Sequence, residues 1–296
     1  MKQGVLLLAH GAPERIEDVE QYLGFVRGGR PANPQITDEV RHRLAAIGGS
    51  SPLLAWTRAQ AEALQQRLGI PVFFGMRNWR PFIAETMGKV RESGLDRLAA
   101  VCLAPQFSEL SVGLYIKRTE EAKLRAAVTA EIVWAKSYHL EPLLIEAFSE
   151  RLLAVTRAAR SPAPQVLFTA HSLPEKALAA GDPYDRETRA TAAAVAARAG
   201  LPEWDFAYQS QGMTDDRWLG PTVESCLDRY AARHIHEVVI HPIGFVCDHI
   251  EVLYDIDIMF RGYAQERGIS LLRPESLNGS ATFTAALAEV ATRCLV

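Results

Sequence analysis

The feature that most constrains this chain is that one kind of strand ending occurs in it twice. Val5-Leu-Leu-Leu-Ala-His10-Gly11 resembles Val166-Leu-Phe-Thr-Ala-His171-Ser172, a short apolar run that ends in Ala-His and a turn residue. Ala99–Ser108 likewise parallels Val238–Cys247, each a β-type run leading into Pro, Phe and a small residue. The two pairs come in the same order, which points to two related halves split near residue 160. Within each half, short apolar runs alternate with helix patterns. That is the signature of a parallel sheet with crossover helices, so the expected class is α/β with two similar halves, each a parallel sheet flanked by helices. The halves are expected at residues 1–160 and 161–276, with a C-terminal helix over 277–296 packing back on the first.

Eight strands are expected, at Val5–Ala9, Val72–Phe74, Ala99–Ala104, Ile132–Ala135, Val166–Ala170, Phe206–Gln209, Val238–His241 and Ile269–Leu272. Ser51-Pro52 opens a helix with Ser as its cap and Pro at the first helical position; Leu54, Ala61, Leu64 and Leu68 line one face and Gly69 stops it. Pro221 starts another helix, Gly94 and Gly200 follow two more, and the Ala-rich Thr188–Ala199 stretch is itself helical.

Ligands of open parallel sheets sit beyond the carboxyl ends of the strands. The four loops placed there carry His10, Phe107-Ser108-Glu109, His171-Ser172 and Cys247-Asp248-His249-Ile250-Glu251. Imidazoles with carboxylates suit a borderline divalent metal such as Fe²⁺, Co²⁺ or Zn²⁺, and equally suit acid–base work. Glu251 and Asp255, four apart, share a helix face, and two acids on so apolar a segment need partners. His249 and Glu251 are only two apart, so both reach one ion only if the helix is irregular there. His42, His139, His234, His236 and His241 have no such context and read as surface or structural groups.

Several function classes are excluded. The net charge of −3 leaves no footprint for general nucleic-acid binding. No apolar run approaches the ~18 residues of a membrane span. The apolar run near the start, Val5–Ala9, is shorter than a secretory core, so a cytoplasmic setting is expected. The four cysteines form no C-x-x-C pair and read as buried thiols. Neither phosphate-binding glycine loop nor a G-x-S-x-G elbow occurs. Arg27, Arg30, Arg41, Arg43 and Arg77, with Ser51 at a helix start, are the residue types that hold carboxylates or phosphates, although scattered arginines are also ordinary surface.

Five segments together resemble, in order, the motifs of ferrochelatases: Ile47-Gly-Gly-Ser-Ser-Pro-Leu53; Leu103-Ala-Pro-Gln-Phe-Ser108 with Ser111-Val-Gly; Ala170-His-Ser-Leu-Pro-Glu175; Gln209-Ser-Gln-Gly212 with Trp218-Leu-Gly-Pro221; and Gly244-Phe-Val-Cys-Asp-His-Ile-Glu-Val-Leu-Tyr-Asp255. The resemblance implies two Rossmann-like, chelatase-like halves with the active-site cleft between them, and insertion of Fe²⁺ into a porphyrin in haem biosynthesis. It makes His171 and Glu251 the catalytic and metal-handling pair. Porphyrin and ferrous iron are the implied partners, with no organic cofactor, and transient contact with haem-pathway enzymes is expected. The segment Phe25-Val-Arg-Gly-Gly-Arg30 looks most like the coproporphyrin-type bacterial branch, so coproporphyrin III is expected over protoporphyrin IX. In that comparison His10, Arg27, Arg43, Ser51, Arg77 and Tyr115 fall at substrate-binding positions.

The chain departs from the family pattern in three places. His10 stands where coproporphyrin-type enzymes usually carry a Tyr; a His there resembles the smaller cobalt chelatases of the superfamily. Met259 replaces an acidic residue of an outer metal site. No clustered cysteines follow Arg273, so no iron–sulfur cluster is expected. The alternatives are a cobalt or nickel tetrapyrrole chelatase and a non-catalytic haem-binding or delivery protein.

Overall fold

The computed structural model describes residues 1–157, 164–211 and 216–296. These fall into two compact units: Met1–Pro105 with Glu109–Tyr138 and Phe283–Val296, and Gln106–Ser108 with His139–Thr282.

The first unit holds β1 (Gln3–Ala9), β2 (Val72–Met76), β3 (Arg97–Cys102) and β4 (Glu131–Ala135), all parallel in the order β2-β1-β3-β4. Helices α1 (Val19–Val26), α2 (Pro34–Ala46), α3 (Leu53–Leu68), α4 (Ile83–Ser93) and α5 (Val112–Arg125) connect or flank them. β1 is the central strand, and Val5, Leu6, Leu7 and Leu8 are fully buried. An unbroken apolar run is what a strand covered on both faces requires, and each such side chain contributes about 1.5–3 kcal/mol of transfer free energy.

The second unit repeats the plan. Its strands are β5 (Gln165–His171), β6 (Asp205–Gln209), β7 (Glu237–Pro242) and β8 (Ser270–Leu272), parallel in the order β6-β5-β7-β8. Its helices are α6 (Pro142–Thr156), α7 (Glu175–Ala179), α8 (Tyr184–Ala199), α9 (Val223–Ala232), α10 (Ile250–Leu253) and α11 (Arg261–Gln265), with a π-helical stretch over Asp255–Phe260. Val252, Ile256 and Phe260 of this irregular helix are buried in one cluster with Leu167, Val238 and Ile240. The catalytic candidates on its other positions therefore stand on a fixed core.

All eight expected strands are present, and the shared strand order gives the duplication its structural meaning. Three expectations need correction. The expected boundary near residue 160 lies outside the described residues, but α6, which precedes it, belongs to the second unit. It is tied there by the His241 Nε2 bond to the Phe148 carbonyl, 3.1 Å, and by Arg151 to Glu275, 2.8 Å. The second repeat is also aligned one residue too far. Gly4 pairs with Leu98 and its counterpart Gln165 pairs with Val238, so Leu98, not Ala99, matches Val238. Apolar similarity between buried strands leaves such a slip open, because both faces are apolar.

The third correction concerns helix starts. Pro52 occupies the cap position of α3, and Ser51 receives only a 3.5 Å contact from the Leu53 N–H. Pro221 lies outside α9, whose cap is Thr222, its side chain accepting from Ser225 N–H. The stops at Gly69, Gly94 and Gly200 are all left-handed, as expected. The face of α3 that is buried is Leu53, Thr57, Gln60, Ala61 and Leu64; Leu54 and Leu68 are half-buried. The C-terminal helix Ala281–Leu295 has its residues from Phe283 onward in the first unit, where Gln3 Nε2 donates to the Leu295 carbonyl at 2.7 Å. Among the described residues no helix is long and apolar enough to cross a membrane.

Candidate active site

In the second unit, the carboxyl ends of β5 and β7 bring His171, His249 and Glu251 together. His171 is the last residue of β5, and its Nδ1 lies 2.5 Å from the Ser172 carbonyl. A carbonyl only accepts, so Nδ1 carries a ring proton. The ring's Nε2 lies 3.9 Å from Glu251 Oε1. His249 repeats the arrangement: Nδ1 donates to the Cys247 carbonyl at 3.0 Å and Nε2 is 3.5 Å from Glu251 Oε2. The Phe245 ring contacts both imidazoles, with centroids 6.4 Å from His171 and 4.5 Å from His249.

His249 serves this group because it precedes the helix. Its backbone is extended (φ −159°, ψ −178°), and α10 begins at Ile250. The objection that residues two apart diverge on a regular helix is removed by that geometry. The side chains of Glu251 and His171 are 39% and 31% exposed, open enough to meet a substrate and to exchange protons. Asp255 is different: it is buried, and Ser210, itself left-handed at φ +59°, donates its hydroxyl to the carboxylate. Of the Gln209–Gly212 motif, Gly212 lies outside the described residues; Gln209 accepts from Thr169 Oγ1 at 2.7 Å and reaches the Glu251 carbonyl at 3.4 Å. Tyr184 is buried nearby, its hydroxyl pushed well above the usual phenol range, first by burial and then by Tyr208 and the Glu251 charge. It stays protonated.

In the first unit the corresponding strand end holds His10. The Asn78 amide donates to its Nε2 at 3.0 Å, which puts the ring proton on Nδ1, facing the Gly11 carbonyl at 3.0 Å and the Tyr22 hydroxyl at 3.3 Å. Gly11 is required: it has φ +88°, and a Cβ there would meet Trp79 N at 2.7 Å. Arg77 follows β2, donates to the Ser111 carbonyl at 3.4 Å and lies over the Tyr115 ring at 5.0 Å, so those two expected substrate-binding residues are in contact. Tyr115 itself is buried. Arg27 is on an exposed loop and donates to the Pro31 carbonyl, Arg43 pairs with Glu39 at 2.7 Å, and Ser51 is buried at the start of α3. A cavity of about 400 Å³ in this unit is lined by Arg77 together with Phe25, Phe82, Ile83, Arg118 and Arg125. Arg118 and Arg125 escape sequence reasoning because nothing in the pattern of α5 distinguishes them from surface charge.

The remaining polar candidates are structural. All four cysteines are buried and unpaired, and burial pushes the Cys247 thiol up to about 12. His241 is buried, and desolvation lowers it to about 4. His139 faces Glu187 at 3.4 Å. Among the described residues no three or more His, Cys, Asp and Glu side chains are grouped to hold an ion at once. The groups suited to meeting a metal substrate are the His171–Glu251 and His249–Glu251 pairs.

A family model described as Ferrochelatase matches residues 2–295. The chain is 45% identical to a ferrochelatase of Acidobacterium capsulatum, over 98% of this chain and 94% of that one. It is 35% identical to the coproporphyrin III ferrochelatase of Anoxybacillus flavithermus, over 97% and 94%. In fold it is similar to SirB from Bacillus subtilis with Fe³⁺, at a TM-score of 0.64 and 12% identity, covering 99% of this chain and 95% of that one. With the family model matched over residues 2–295, the chain belongs to the ferrochelatase family, the lyases that insert ferrous iron into porphyrins in haem biosynthesis.

Proposed function

We propose that this chain inserts Fe²⁺ into coproporphyrin III in preference to protoporphyrin IX, with His171 and Glu251 as the catalytic pair. The observation that carries the reading is the orientation of His171: its Nδ1 proton is held by the Ser172 carbonyl, and its Nε2 lies 3.9 Å from Glu251 Oε1. Insertion exchanges one Fe²⁺ for the two pyrrole protons of the ring, so a site must accept two protons and guide a dication. A neutral imidazole takes one proton without rearranging its other hydrogen bond. The Glu251 carboxylate takes the second, after contacting the iron as its water is shed; oxygen and imidazole nitrogen both suit Fe²⁺. Between the two transfers the imidazolium lies beside the Glu251 carboxylate, which stabilises it. His249 Nε2 lies beside the same carboxylate, 3.5 Å from Glu251 Oε2.

Porphyrin preference rests on the first unit. Coproporphyrin carries four propionates and protoporphyrin two, so the former gains more from guanidinium and hydroxyl partners. Arg77 with Tyr115, then Arg27, Arg43 and Ser51, are the assigned partners, and His10 is assigned to substrate binding as well. The similarity to enzymes named coproporphyrin III ferrochelatase points the same way. Iron is substrate here, and the reaction as written needs no organic cofactor.

The test is anaerobic insertion followed optically, with coproporphyrin III and protoporphyrin IX in parallel against Fe²⁺ and Co²⁺. A higher kcat/KM for coproporphyrin with Fe²⁺ is expected. Preference for protoporphyrin would discard the reading of the arginines and keep the enzyme. Porphyrin binding with no insertion of either metal would make the chain a carrier.

A further inference from the structure

Glu251 does not hold its position unaided. The segment that carries it, from Asp248 through the π-helical Asp255–Phe260, is tied at both ends to one side chain outside it. Arg273 follows β8, and its side chain is only 10% exposed. Nε and Nη2 donate to the two carboxylate oxygens of Asp257, at 2.8 and 2.7 Å, a parallel fork. Nη1 donates to Asp248 Oδ1 at 3.0 Å and to the Pro274 carbonyl at 3.1 Å. Asp248 lies three residues before Glu251 and Asp257 six residues after it. His249 and Glu251, whose side chains meet, are thus enclosed in a loop closed by one guanidinium.

The same strap is reinforced on the Asp248 side. Ser276 Oγ donates to Asp248 Oδ1 at 2.8 Å and Asn278 Nδ2 donates to Oδ2 at 2.9 Å. The Asp248 N–H donates to Asn278 Oδ1 at 2.8 Å, and the Asn278 N–H to the Val246 carbonyl at 2.9 Å. Both oxygens of a nearly buried carboxylate are therefore satisfied by residues 273–278. The cost of burying this charged group is set against a fixed position for the chain turn at His249. His249 is extended, and the helix starts only after it, so its direction depends on where Asp248 is held.

We propose that Arg273 is a positioning residue for iron insertion, fixing Glu251 and His249 by clamping Asp248 and Asp257 at once. It touches neither substrate nor the reacting atoms. The inference rests on the reading of Glu251 as a catalytic group. A lysine keeps the charge but has no planar fork, so it can satisfy one carboxylate and not both.

The experiment is a double-mutant cycle on the full chain, with kcat and the KM for porphyrin measured by anaerobic insertion. Arg273→Lys is expected to lower kcat by about 10- to 100-fold, the usual effect of removing an outer partner of a metal-handling group. The porphyrin KM should change by less than about threefold, because the loss is in geometry at the reacting centre and not in uniform binding. In the Glu251→Gln background, the same substitution should cost less than about threefold in kcat, since a group that acts through Glu251 has nothing left to position. Full multiplicative loss in that background would overturn the assignment, as would wild-type kcat with a lowered melting temperature alone. Should Arg273→Lys fail to fold, Asp257→Asn loosens one arm only and the same cycle is run with it. Arg151→Lys is the control: it weakens the 2.8 Å pair to Glu275 on the same strap without reaching Asp248 or Asp257, and should leave kcat unchanged. If Glu251→Gln itself inserts iron at the wild-type rate, the proposed catalytic pair fails, and that result is read before the cycle is.

Discussion

The two strand-end histidines share a backbone frame and differ in what surrounds them. Each ends an Ala-His run on the central strand of a four-stranded sheet, and each faces the carbonyl of the next residue with Nδ1. Each also has the strand on the same side as its neighbour: Ala9 pairs with Met76, and Ala170 with Tyr208. The residues just beyond those partners decide the character of the site. In the first unit they are Arg77 and Asn78, a cation and a neutral amide that donates to His10. In the second they are Gln209 and Ser210, which reach the Glu251 carbonyl and the Asp255 carboxylate. One frame has been made cationic and hydrogen-bond-donating, the other acidic. Carboxylate arms suit the first, and a dication exchanging with protons suits the second. A duplicated fold thereby supplies two electrostatic environments without any change in sheet order.

The comparison is broken most severely by removing the proposed acid–base groups of the second unit. His171→Ala and Glu251→Gln should each lower kcat by about two to four orders of magnitude while porphyrin binding measured by fluorescence quenching persists. His10→Ala removes the same ring from the first unit, where the Asn78 amide is bonded to its Nε2, so its effect on kcat should be smaller than either. Equal losses at His10 and His171 would show that the asymmetry between the units does not assign proton transfer.

Much of this contrast is legible in the sequence, and its limits have physical causes. The eight strands are readable because buried parallel strands are continuous apolar runs, and the glycine stops because only a left-handed residue closes those helices. The His10 and His171 frames are readable because a strand end followed by Gly or Ser is a local pattern. The one-residue slip between Leu98 and Ala99 is not readable, because apolar residues on both faces make adjacent registers look alike. Nor is the meeting of His249 with Glu251, which depends on an extended residue just before an irregular helix. Arg273 and Arg118 are silent for a simpler reason: an arginine in sequence is surface until its partners are known.

A smaller effect is expected at the cationic frame. Arg77→Met keeps the bulk of the chain over Tyr115 and removes the charge, so the KM for a free porphyrin should rise by about tenfold with little loss of kcat, the pattern of lost uniform binding. The discriminating comparison is an ester-capped porphyrin, whose KM should be indifferent to the substitution. If the free and capped porphyrins respond alike, Arg77 acts on the Tyr115 side of the pocket wall and not on a propionate.

The smallest effect separates the cores beneath the two frames. Each unit buries a potentially ionisable residue on the strand to one side of its central strand: Cys102 on β3 and His241 on β7. Burial drives both toward the neutral form, raising the thiol and lowering the imidazole to about 4. Only the second enters the acidic range. For His241, burial is the largest cause; the Nε2 bond to the Phe148 carbonyl opposes it and the Arg273 charge adds to it. Above the ordinary histidine value of 6.5 both folded and unfolded chains hold this ring neutral, and it has no effect on stability. As pH falls from 6.5 toward 4 the unfolded chain gains a proton that the folded core refuses, so stability is lost across that window, by at most about 3 kcal/mol. His241→Phe, flanked by Phe148 and Phe168 at ring distances of 5.5 and 5.8 Å, removes the proton and keeps an aromatic ring. Urea unfolding between pH 7 and pH 4 should therefore show a shallower decline for the variant, by up to one proton in slope. Cys102→Ala gives no such change, since neither form of that core titrates there. Parallel slopes for wild type and His241→Phe would mean that the ring is protonated as easily in the folded unit as outside it.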